Sequence, residues 1–191
     1  MKKLKLKALS HHIPILSDEG ILFIKAQIKE KNLKTMLEIG SAIGYSSIAL
    51  ADDLESITTL EREVTYHQMA LENIKAYHKS NIKAVLVDAL EYVPDETYDL
   101  IFIDGAKAQY ERFFNRYKAY LNIGGIIICD NLNFHHLKQA EVSKGTRNLL
   151  RKLEKFKQFL KNNKEFETSF FEVGDGLSVS WRKDETTNNI L

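Results

Sequence analysis

The sequence predicts an α/β protein in which a mainly parallel, seven-stranded sheet carries helices on both faces, a Rossmann-like arrangement. Two observations predict this fold class. Short apolar runs alternate with longer segments of helical periodicity, the pattern of parallel strands joined by crossover helices. The last third of the chain departs from that pattern and ends in two strand-like segments around a glycine-rich turn, which predicts an antiparallel edge. A chain of 191 residues suits one domain.

Five apolar runs are candidate strands of the parallel part, because each is too short and too continuous to be an amphipathic helix. The segments between them carry apolar residues three and four positions apart, so helices are expected there. The predicted strands are residues 35–39, 56–60, 82–87, 100–103 and 126–129, and the predicted helices are residues 45–52, 64–77 and 109–120.

The last third predicts a long helix followed by a hairpin. Its helical stripe includes Leu149, Leu153, Phe156 and Leu160, and its other face is rich in lysine and arginine. Residues 166–173 then lead through a Gly-Asp-Gly turn into a segment of alternating apolar and polar residues. We expect residues 1–183 to form one domain and residues 184–191 to be a flexible tail.

Composition excludes several classes of protein. The chain is 44% hydrophobic and 28% charged, with a formal net charge of +1, which is typical of a globular domain. Polar residues interrupt every apolar run well before the roughly 20 residues that cross a bilayer, so neither a membrane span nor an export signal is expected. Cys129 is the single cysteine and cannot form an internal disulfide, which fits the cytoplasm.

A glycine-rich turn follows the first predicted strand. Gly40 and Gly44 allow the chain to turn tightly and to approach a ligand closely before the next helix begins. Their Gly-x-x-x-Gly spacing differs from the Gly-x-Gly-x-x-Gly of dinucleotide sites, so NAD is disfavoured. The glycines alone leave a nucleotide site and a plain strand-to-helix turn equally open.

Acidic residues at the next two strand ends favour a nucleoside. Glu61 ends the second strand, where a carboxylate can accept hydrogen bonds from ribose hydroxyls. Asp88 follows the third strand, where it can accept from an adenine amino group while Ala89 donates its backbone N–H. Either acid alone is more simply a helix cap. Since the carboxyl ends of parallel strands meet at one edge, the three strand ends together predict an adenosine site.

Two further strand ends predict a metal site. Asp104, Asp130 and Asn131 supply carboxylate and amide oxygens, the ligands of a hard cation such as Mg²⁺. A cation there lowers the pKa of a bound hydroxyl, and Lys107 is the candidate base that removes the proton. The alternatives are helix caps for the two aspartates and a solvated surface charge for the lysine.

Four segments resemble the cation-dependent O-methyltransferases that include catechol and caffeoyl-CoA enzymes. They are LEIGSAIGYS at 37–46, ITTLERE at 57–63, FIDGAKAQY at 102–110 and GGIIICDN at 124–131. Within that family, AKAQYERFF at 106–114 and GDGLSVS at 174–180 are most similar to bacterial tRNA 5-hydroxyuridine methyltransferases.

The resemblance implies S-adenosylmethionine as methyl donor, a divalent cation and a catalytic lysine at position 107. It also implies that residues 13–16 lie against the methionine end of the cofactor. Two departures fall around the acceptor pocket: the segment after Asn131 lacks an Arg-Gly pair, and the amino-terminal region is short. The implied cofactor contacts are Leu16, Gly40, Ser46, Glu61, Asp88, Ala89 and Asp104, and the implied metal ligands are Asp104, Asp130 and Asn131.

The acceptor stays open between two classes, since 5-hydroxyuridine and a catechol each offer two neighbouring oxygens to one cation. Residues 137–164 contain nine lysines or arginines and two glutamates, and the first seven residues contain four lysines. Such a basic surface can gather RNA phosphates, although a solvated helix face is the simpler explanation of the charge alone. With the resemblance, the tRNA anticodon loop is the preferred partner and a small catechol-like acceptor the alternative.

Two further expectations complete the analysis. A catalytically silent protein that binds the cofactor or RNA is the competing function from another class, and a homodimer is the assembly considered. His11, His12, His135 and His136 are candidates for contacting RNA or substrate, but exposed polar loops explain them equally well.

Overall fold

The computed structural model describes residues 1–133 and 143–183. The expectations for His135, His136 and the tail 184–191 therefore lie outside the described residues. The helices are α1 (Lys2–Ser10), α2 (Asp18–Glu30), α3 (Tyr45–Leu50), α4 (Val64–Ala76), α5 (Tyr110–Tyr117) and α6 (Lys144–Lys161). The strands are β1 (Thr35–Ile39), β2 (Ser56–Glu61), β3 (Ile82–Leu86), β4 (Tyr98–Ile103), β5 (Leu121–Cys129), β6 (Phe166–Phe171) and β7 (Leu177–Arg182). Short 3₁₀ turns cover Ala51–Asp53, Lys107–Gln109 and Lys118–Tyr120.

The sheet has seven strands in the order β3-β2-β1-β4-β5-β7-β6. The first five are parallel, and β7 is antiparallel to both β5 and β6. The predicted mixed sheet with an antiparallel carboxyl-terminal edge is confirmed. The strand order reverses between β1 and β4, and open α/β sheets bind ligands beyond the carboxyl ends of the strands at such a switch point.

Two strands begin earlier than the apolar runs predict. β4 starts at Tyr98 and includes the polar Asp99, whose side chain connects β4 to β1. The Oδ2 of Asp99 accepts hydrogen bonds from the backbone N–H groups of Lys34 at 2.8 Å and Thr35 at 3.1 Å. β5 starts at Leu121. Its first part contains two glycines and is not a continuous apolar run, so the sequence pattern predicted only the second part.

Helices α1 and α2 were not predicted. In α1 the apolar residues Leu4, Leu6 and Ala8 are two positions apart, a strand-like spacing, yet only Leu4 and Ala8 are buried. In α2 a helix signal was present, since Ser17 Oγ accepts from the Gly20 N–H at 3.0 Å as a normal amino cap. Among the described residues, none of the helices has the length and apolar character needed to cross a bilayer.

The sheet separates two hydrophobic cores. Side chains alternate along each strand, so Met36 faces one core and Leu37 the other. Helices α1 to α4 pack on the first face, whereas α5 and α6 pack on the second. Both layers run up to the carboxyl edge of the sheet, where the loops after β1 to β5 emerge.

Phe114 is at the centre of the second core. It is fully buried, and its ring meets the rings of Phe159 at 5.5 Å and Phe166 at 5.1 Å between centroids, both edge to face. These contacts join α5 to α6 and to the edge strand β6, so Phe114 holds the layer that supports the carboxyl-terminal third of the chain.

Substituting Phe114→Ala should therefore lower the free energy of unfolding by about 3 to 5 kcal/mol, the loss typical of a buried phenylalanine. The matched control is Phe170→Ala, because Phe170 is 38% exposed on β6 and should cost about 1 kcal/mol or less. Urea denaturation followed by circular dichroism measures both. Equal losses for the two variants would contradict this account of the core.

Candidate active site at the carboxyl edge of the sheet

A cavity of about 710 Å³ opens at the carboxyl edge of the parallel strands. Each of the five parallel strands contributes a lining residue from its end or from the loop that follows. Of the residues singled out from the sequence, those that line the cavity are Gly40, Glu61, Asp88, Ala89, Asp104, Lys107, Asp130 and Asn131. The structure thus brings these eight residues into one site.

Leu16 and Ser46 are not among the lining residues. Leu16 is 4% exposed and belongs to the first core, whereas its neighbours Ile13, Pro14 and Ile15 face the cavity. Ser46 is 5% exposed, and its hydroxyl donates to the carboxylate of Glu38. Direct cofactor contacts by Leu16 and Ser46 stay predictions.

The glycine turn after β1 packs directly on the turn after β4. Gly40 has a φ of +98°, and a Cβ there would stand 2.6 Å from the Cα of Gly105. Both the left-handed φ and the close backbone approach therefore require glycine. The turn is also tied to β2, since the N–H groups of Gly40 and Ser41 both donate to the carbonyl of Leu60.

Glu61 is oriented by its own loop and by the glycine turn. Its Oε2 accepts from the Ala42 N–H at 2.9 Å, and its Oε1 accepts from the N–H groups of Arg62 and Glu63, each at 2.9 Å. A carboxylate has about four acceptor positions, so one is left for a ligand. Glu61 can thus accept a hydrogen bond from one of the two ribose hydroxyls while it keeps its three backbone bonds.

Asp88 both stabilises a turn and faces the cavity. Its Oδ1 accepts from the Leu90 N–H at 2.8 Å, which stabilises a turn rather than the start of a helix, the alternative considered from sequence. It nevertheless lines the cavity next to Ala89, whose side chain is buried. The bond within the turn and a ligand contact are therefore compatible at this position.

Among the three candidate metal ligands, Asn131 lies within hydrogen-bonding distance of both aspartates. Asn131 Nδ2 is 3.1 Å from Asp104 Oδ1 and 2.6 Å from Asp130 Oδ2. The φ of Asn131 is +60°, a left-handed conformation that asparagine tolerates better than most residues. The backbone thus turns sharply at Asn131, and the turn directs its amide towards the two carboxylates.

The electrostatics of the two aspartates are those of crowded, buried acids. Burial raises the pKa of Asp104 well above its usual value, and the charge of Asp130 raises it further. Burial also raises the pKa of Asp130 to about 6, with the carboxylate of Asp175 adding to the shift. The ammonium of Lys107 lowers both pKa values, so it lies within electrostatic range of the pair.

These donors fit a hard divalent cation. In the described part of the chain, no group of three or more His, Cys, Asp or Glu side chains is arranged as a metal site, so the candidate set is two carboxylates and one amide. Mg²⁺ accepts such a partial shell and completes it with water or substrate oxygens. In the structure the Asn131 Nδ2 donates to both acids. To bind a cation, Asn131 must use its Oδ1 instead, and a rotation of the amide by 180° brings Oδ1 to the position of Nδ2.

Lys107 reaches the site through a strained turn. Ala106 precedes it with a φ of +50°, and the 3₁₀ turn Lys107–Gln109 starts directly afterwards. Ala42 in the glycine turn has a φ of +43°. With Asn131, three non-glycine residues in left-handed conformations line one cavity, and such strain concentrates at functional sites.

Sequence reasoning missed two polar residues of the site. Asp175 lines the cavity and acts on Asp130, but the Gly-Asp-Gly segment was interpreted only as a hairpin turn. Tyr110 is buried, and its hydroxyl donates to the backbone carbonyl of Asp130 at 3.1 Å. Each lies in a segment that resembles the methyltransferases, and that resemblance was the available signal.

The chain matches a family model described as O-methyltransferase over residues 1–183. It is 31% identical to tapetum-specific methyltransferase 1 of Arabidopsis thaliana over 186 residues, which covers 87% of this chain and 79% of that protein. It is 26% identical to caffeoyl-CoA O-methyltransferase of Populus kitakamiensis over 181 residues, covering 86% and 76% of the two chains.

Two solved structures similar to this chain are also methyltransferases by name. A Staphylococcus aureus protein provisionally named caffeoyl-CoA O-methyltransferase has a TM-score of 0.89 and 34% identity, covering 95% of this chain and 91% of that one. An O-methyltransferase from Bacillus cereus, solved in complex with SAH, has a TM-score of 0.81 and 21% identity, covering 95% and 90%. The second likeness shows the fold alone.

The raised pKa of Asp130 predicts a pH-dependent gain in stability for Asp130→Asn in EDTA. A folded-state pKa of about 6 against an ordinary value of 3.8 means that ionisation above pH 6 destabilises the native protein. Asparagine removes that cost, so the variant should be more stable than the parent by up to about 3 kcal/mol at pH 8. The gain should fall to near zero at pH 4.

Chemical denaturation of both proteins at pH 4, 6 and 8 measures this difference. The control is Asp52→Asn, because Asp52 is an exposed partner of Lys79 and has no buried neighbour of like charge. A gain that is the same at all three pH values would show that ionisation of the buried Asp130 carboxyl is not its cause.

Proposed function

Since the chain belongs to the O-methyltransferase family, we propose that it uses a divalent cation and S-adenosylmethionine to methylate the 5-hydroxyl of 5-hydroxyuridine in tRNA, giving 5-methoxyuridine. One observation carries the proposal: two carboxylates, an amide and a lysine converge at the end of the cavity next to a half that suits adenosine. The cofactor half together with the cation half supports methyl transfer to a hydroxyl.

The cofactor half is assigned to S-adenosylmethionine, which would supply the methyl group. Glu61 retains one acceptor position for a ribose hydroxyl, and Asp88 with Ala89 faces the same wall. Gly40 lets the chain pass close to the ligand without a side chain in the way. These contacts suit a nucleoside rather than a pyrophosphate, in agreement with a cofactor that carries no phosphate.

The cation half is assigned to Asp104, Asp130 and Asn131. A divalent cation held there would relieve the repulsion between the two acids and lower the pKa of an acceptor hydroxyl. Asp104 lies between the turn that packs on Gly40 and the second acid, so it also orders the boundary with the cofactor half.

Lys107 is assigned as the base that takes the acceptor proton. Lys107 lines the same cavity as the two aspartates, and its ammonium lowers the pKa of both. The strained backbone at Ala106 fixes the direction from which it approaches. The lysine acts as a base only as the neutral amine.

Two basic helices support an acceptor with several phosphates. Helix α1 contains four lysines and no acid, and α6 contains seven basic residues and one acid, in a chain whose net charge is +1. They pack on opposite faces of the sheet, Leu9 of α1 lines the cavity, and α6 packs against the turn that carries Lys107.

The two helices therefore place positive charge on both faces of the sheet. An RNA strand whose acceptor base entered the cavity would pass both helices with its phosphates, and phosphate contacts of this kind supply most of the affinity in nucleic-acid binding. A wobble uridine in a single-stranded loop can be turned out of its stack at low cost.

A small aromatic acceptor is the second candidate, and two observations favour it. Several of the relatives are named caffeoyl-CoA O-methyltransferases. In addition, Leu9, Ile13 and Phe113 give the cavity an apolar wall, against which a flat ring would pack. A catechol-like compound would offer the cation the same two neighbouring oxygens.

The nucleosides of tRNA distinguish the two acceptors. A strain that lacks the gene should contain 5-hydroxyuridine and no 5-methoxyuridine in its tRNA, measured by mass spectrometry, and the wild-type gene should restore 5-methoxyuridine. The purified protein should methylate that tRNA and turn over catechols at least about 100-fold less efficiently, a difference of roughly 3 kcal/mol. Unchanged 5-methoxyuridine in the deletion strain would eliminate the tRNA proposal.

The cation is tested separately. Asp130→Ala, or EDTA added to the wild-type protein, should lower turnover by at least about 100-fold, since one ligand of a catalytic metal or the metal itself is lost. Affinity for SAH should change by only a few-fold, because Asp130 lies outside the cofactor half. Asp52→Ala is the control and should retain full activity. Turnover that survives both treatments would support the catalytically silent or metal-free alternatives.

A further inference from the structure

One lysine of the basic helix α6 is bonded to the chain segment that follows the candidate metal ligands. Lys157 is half-buried, whereas Lys152 and Lys155 of the same helix are exposed. The Nζ of Lys157 donates to the Oδ1 of Asn133 at 2.8 Å. Asn133 lies two residues beyond Asn131 and does not line the cavity. The proposed chemistry therefore leaves this bond without a role.

Residues 132 and 133 are fixed against the turn between β6 and β7. The Leu132 N–H donates to the carbonyl of Gly176 at 3.0 Å, and the Asn133 N–H donates to the carbonyl of Asp175 at 2.8 Å. The Asn133 side chain also packs on Gly176, where a Cβ would stand 2.8 Å from the Asn133 Cγ. The same turn carries Asp175 into the cavity, so the positions of Asn133 and Asp175 depend on each other.

The chain changes direction at Asn131, between the strand end and this anchored segment. Its φ of +60° is a left-handed conformation, which persists only where the surrounding structure holds the chain on both sides. On one side the Asp130 N–H donates to the carbonyl of Ile103 at 3.2 Å, and on the other side are the bonds of Leu132 and Asn133 to the turn. The direction of the Asn131 amide therefore depends on how firmly Asn133 is held.

A second residue of α6 supports the same end of β5. Phe156 is buried and packs edge to face against Tyr110, with 5.5 Å between the ring centroids. The hydroxyl of Tyr110 donates to the backbone carbonyl of Asp130 at 3.1 Å. Two consecutive residues of α6, Phe156 and Lys157, therefore contact side chains that hold the backbone at the cation half of the site.

We propose that Lys157 is a positioning residue for the cation site. Through Asn133 it holds the chain after β5 against the turn that carries Asp175, and so fixes the direction of the Asn131 amide. A charged donor suits this task, because its hydrogen bond to an amide oxygen is stronger than that of a neutral donor. This role rests on the proposed function only in that the site binds a divalent cation.

The sign of the effect on cation binding separates positioning from simple electrostatics. A positive charge repels a cation, so removal of the Lys157 ammonium would by itself strengthen the binding of a divalent cation. Loss of the bond to Asn133 loosens the chain after Asn131 and should weaken that binding instead. The two explanations therefore predict opposite changes for Lys157→Met, which keeps a long, unbranched side chain.

The test uses Mn²⁺ as the probe, in the presence of SAH. Electron paramagnetic resonance of the free ion gives the Kd for Mn²⁺, and titration calorimetry gives the Kd for SAH. Lys157→Met should weaken Mn²⁺ binding about tenfold, the lower end of the range for residues that orient metal ligands, and should leave SAH affinity within about twofold. Asn133→Ala should have the same effect. The double variant should bind Mn²⁺ no more weakly than the weaker single variant, because both changes remove one bond.

Lys155→Met is the matched control, because it removes the same charge from an exposed position two residues away on α6. Its Kd for Mn²⁺ should stay within about twofold of the wild type. Two results would overturn the inference: Mn²⁺ affinity in Lys157→Met equal to or higher than that of the wild type, or an equal loss in Lys155→Met.

If Lys157→Met does not fold, Asn133→Ala decides, and wild-type Mn²⁺ affinity in that protein has the same meaning. A wild-type protein that binds SAH but no Mn²⁺ would instead remove the cation from the proposed function.

Discussion

The backbone contact between Gly40 and Gly105 is the constraint on which the site depends. These residues begin the turns after β1 and β4, the strands on either side of the switch point. A Cβ on Gly40 would stand 2.6 Å from the Cα of Gly105, so the two turns are as close as a peptide backbone permits. One turn leads to the cofactor half and the other carries Asp104 and Lys107. Their contact therefore sets how far apart the two halves are.

The polar network of the site follows from that closeness. Glu61 accepts from the Ala42 N–H in the glycine turn, Glu38 accepts from Ser46 at the start of α3, and Asn131 joins the acids at the ends of β4 and β5. Each bond is made by a residue at or near a strand end, so the sheet itself fixes the geometry. Loops contribute where backbone strain is tolerated, at Ala42, Ala106 and Asn131. Rigid elements thus position the reacting groups, which limits the reorganisation that binding requires.

The sequence was sufficient for the sheet and for most of the lining residues, because strand ends in a parallel sheet share one edge whatever the loops do. It was insufficient where one residue serves two elements. Asp99 interrupts an apolar run because its carboxylate accepts hydrogen bonds from the backbone N–H groups at the start of β1. In α1, lysines alternate with the apolar residues, so the helical periodicity is not evident from the sequence. Leu16 and Ser46 were assigned by resemblance. Both are buried and neither lines the cavity, a result of packing that a sequence motif does not indicate. Asp175 was missed because its place in the cavity depends on how the hairpin turn packs against the site, which the sequence does not indicate.

The distribution of charge matters more than its sum. A chain of net charge +1 would be expected to meet anions and cations with little preference. Here α1 and α6 concentrate positive charge on opposite faces of the sheet, and the remainder of the chain is net acidic. A phosphate-bearing molecule is therefore attracted to these two faces before it makes any contact, over a distance set by the Debye length, about 10 Å at 0.1 M salt. Raising the ionic strength would then slow association more than it altered the chemistry that follows.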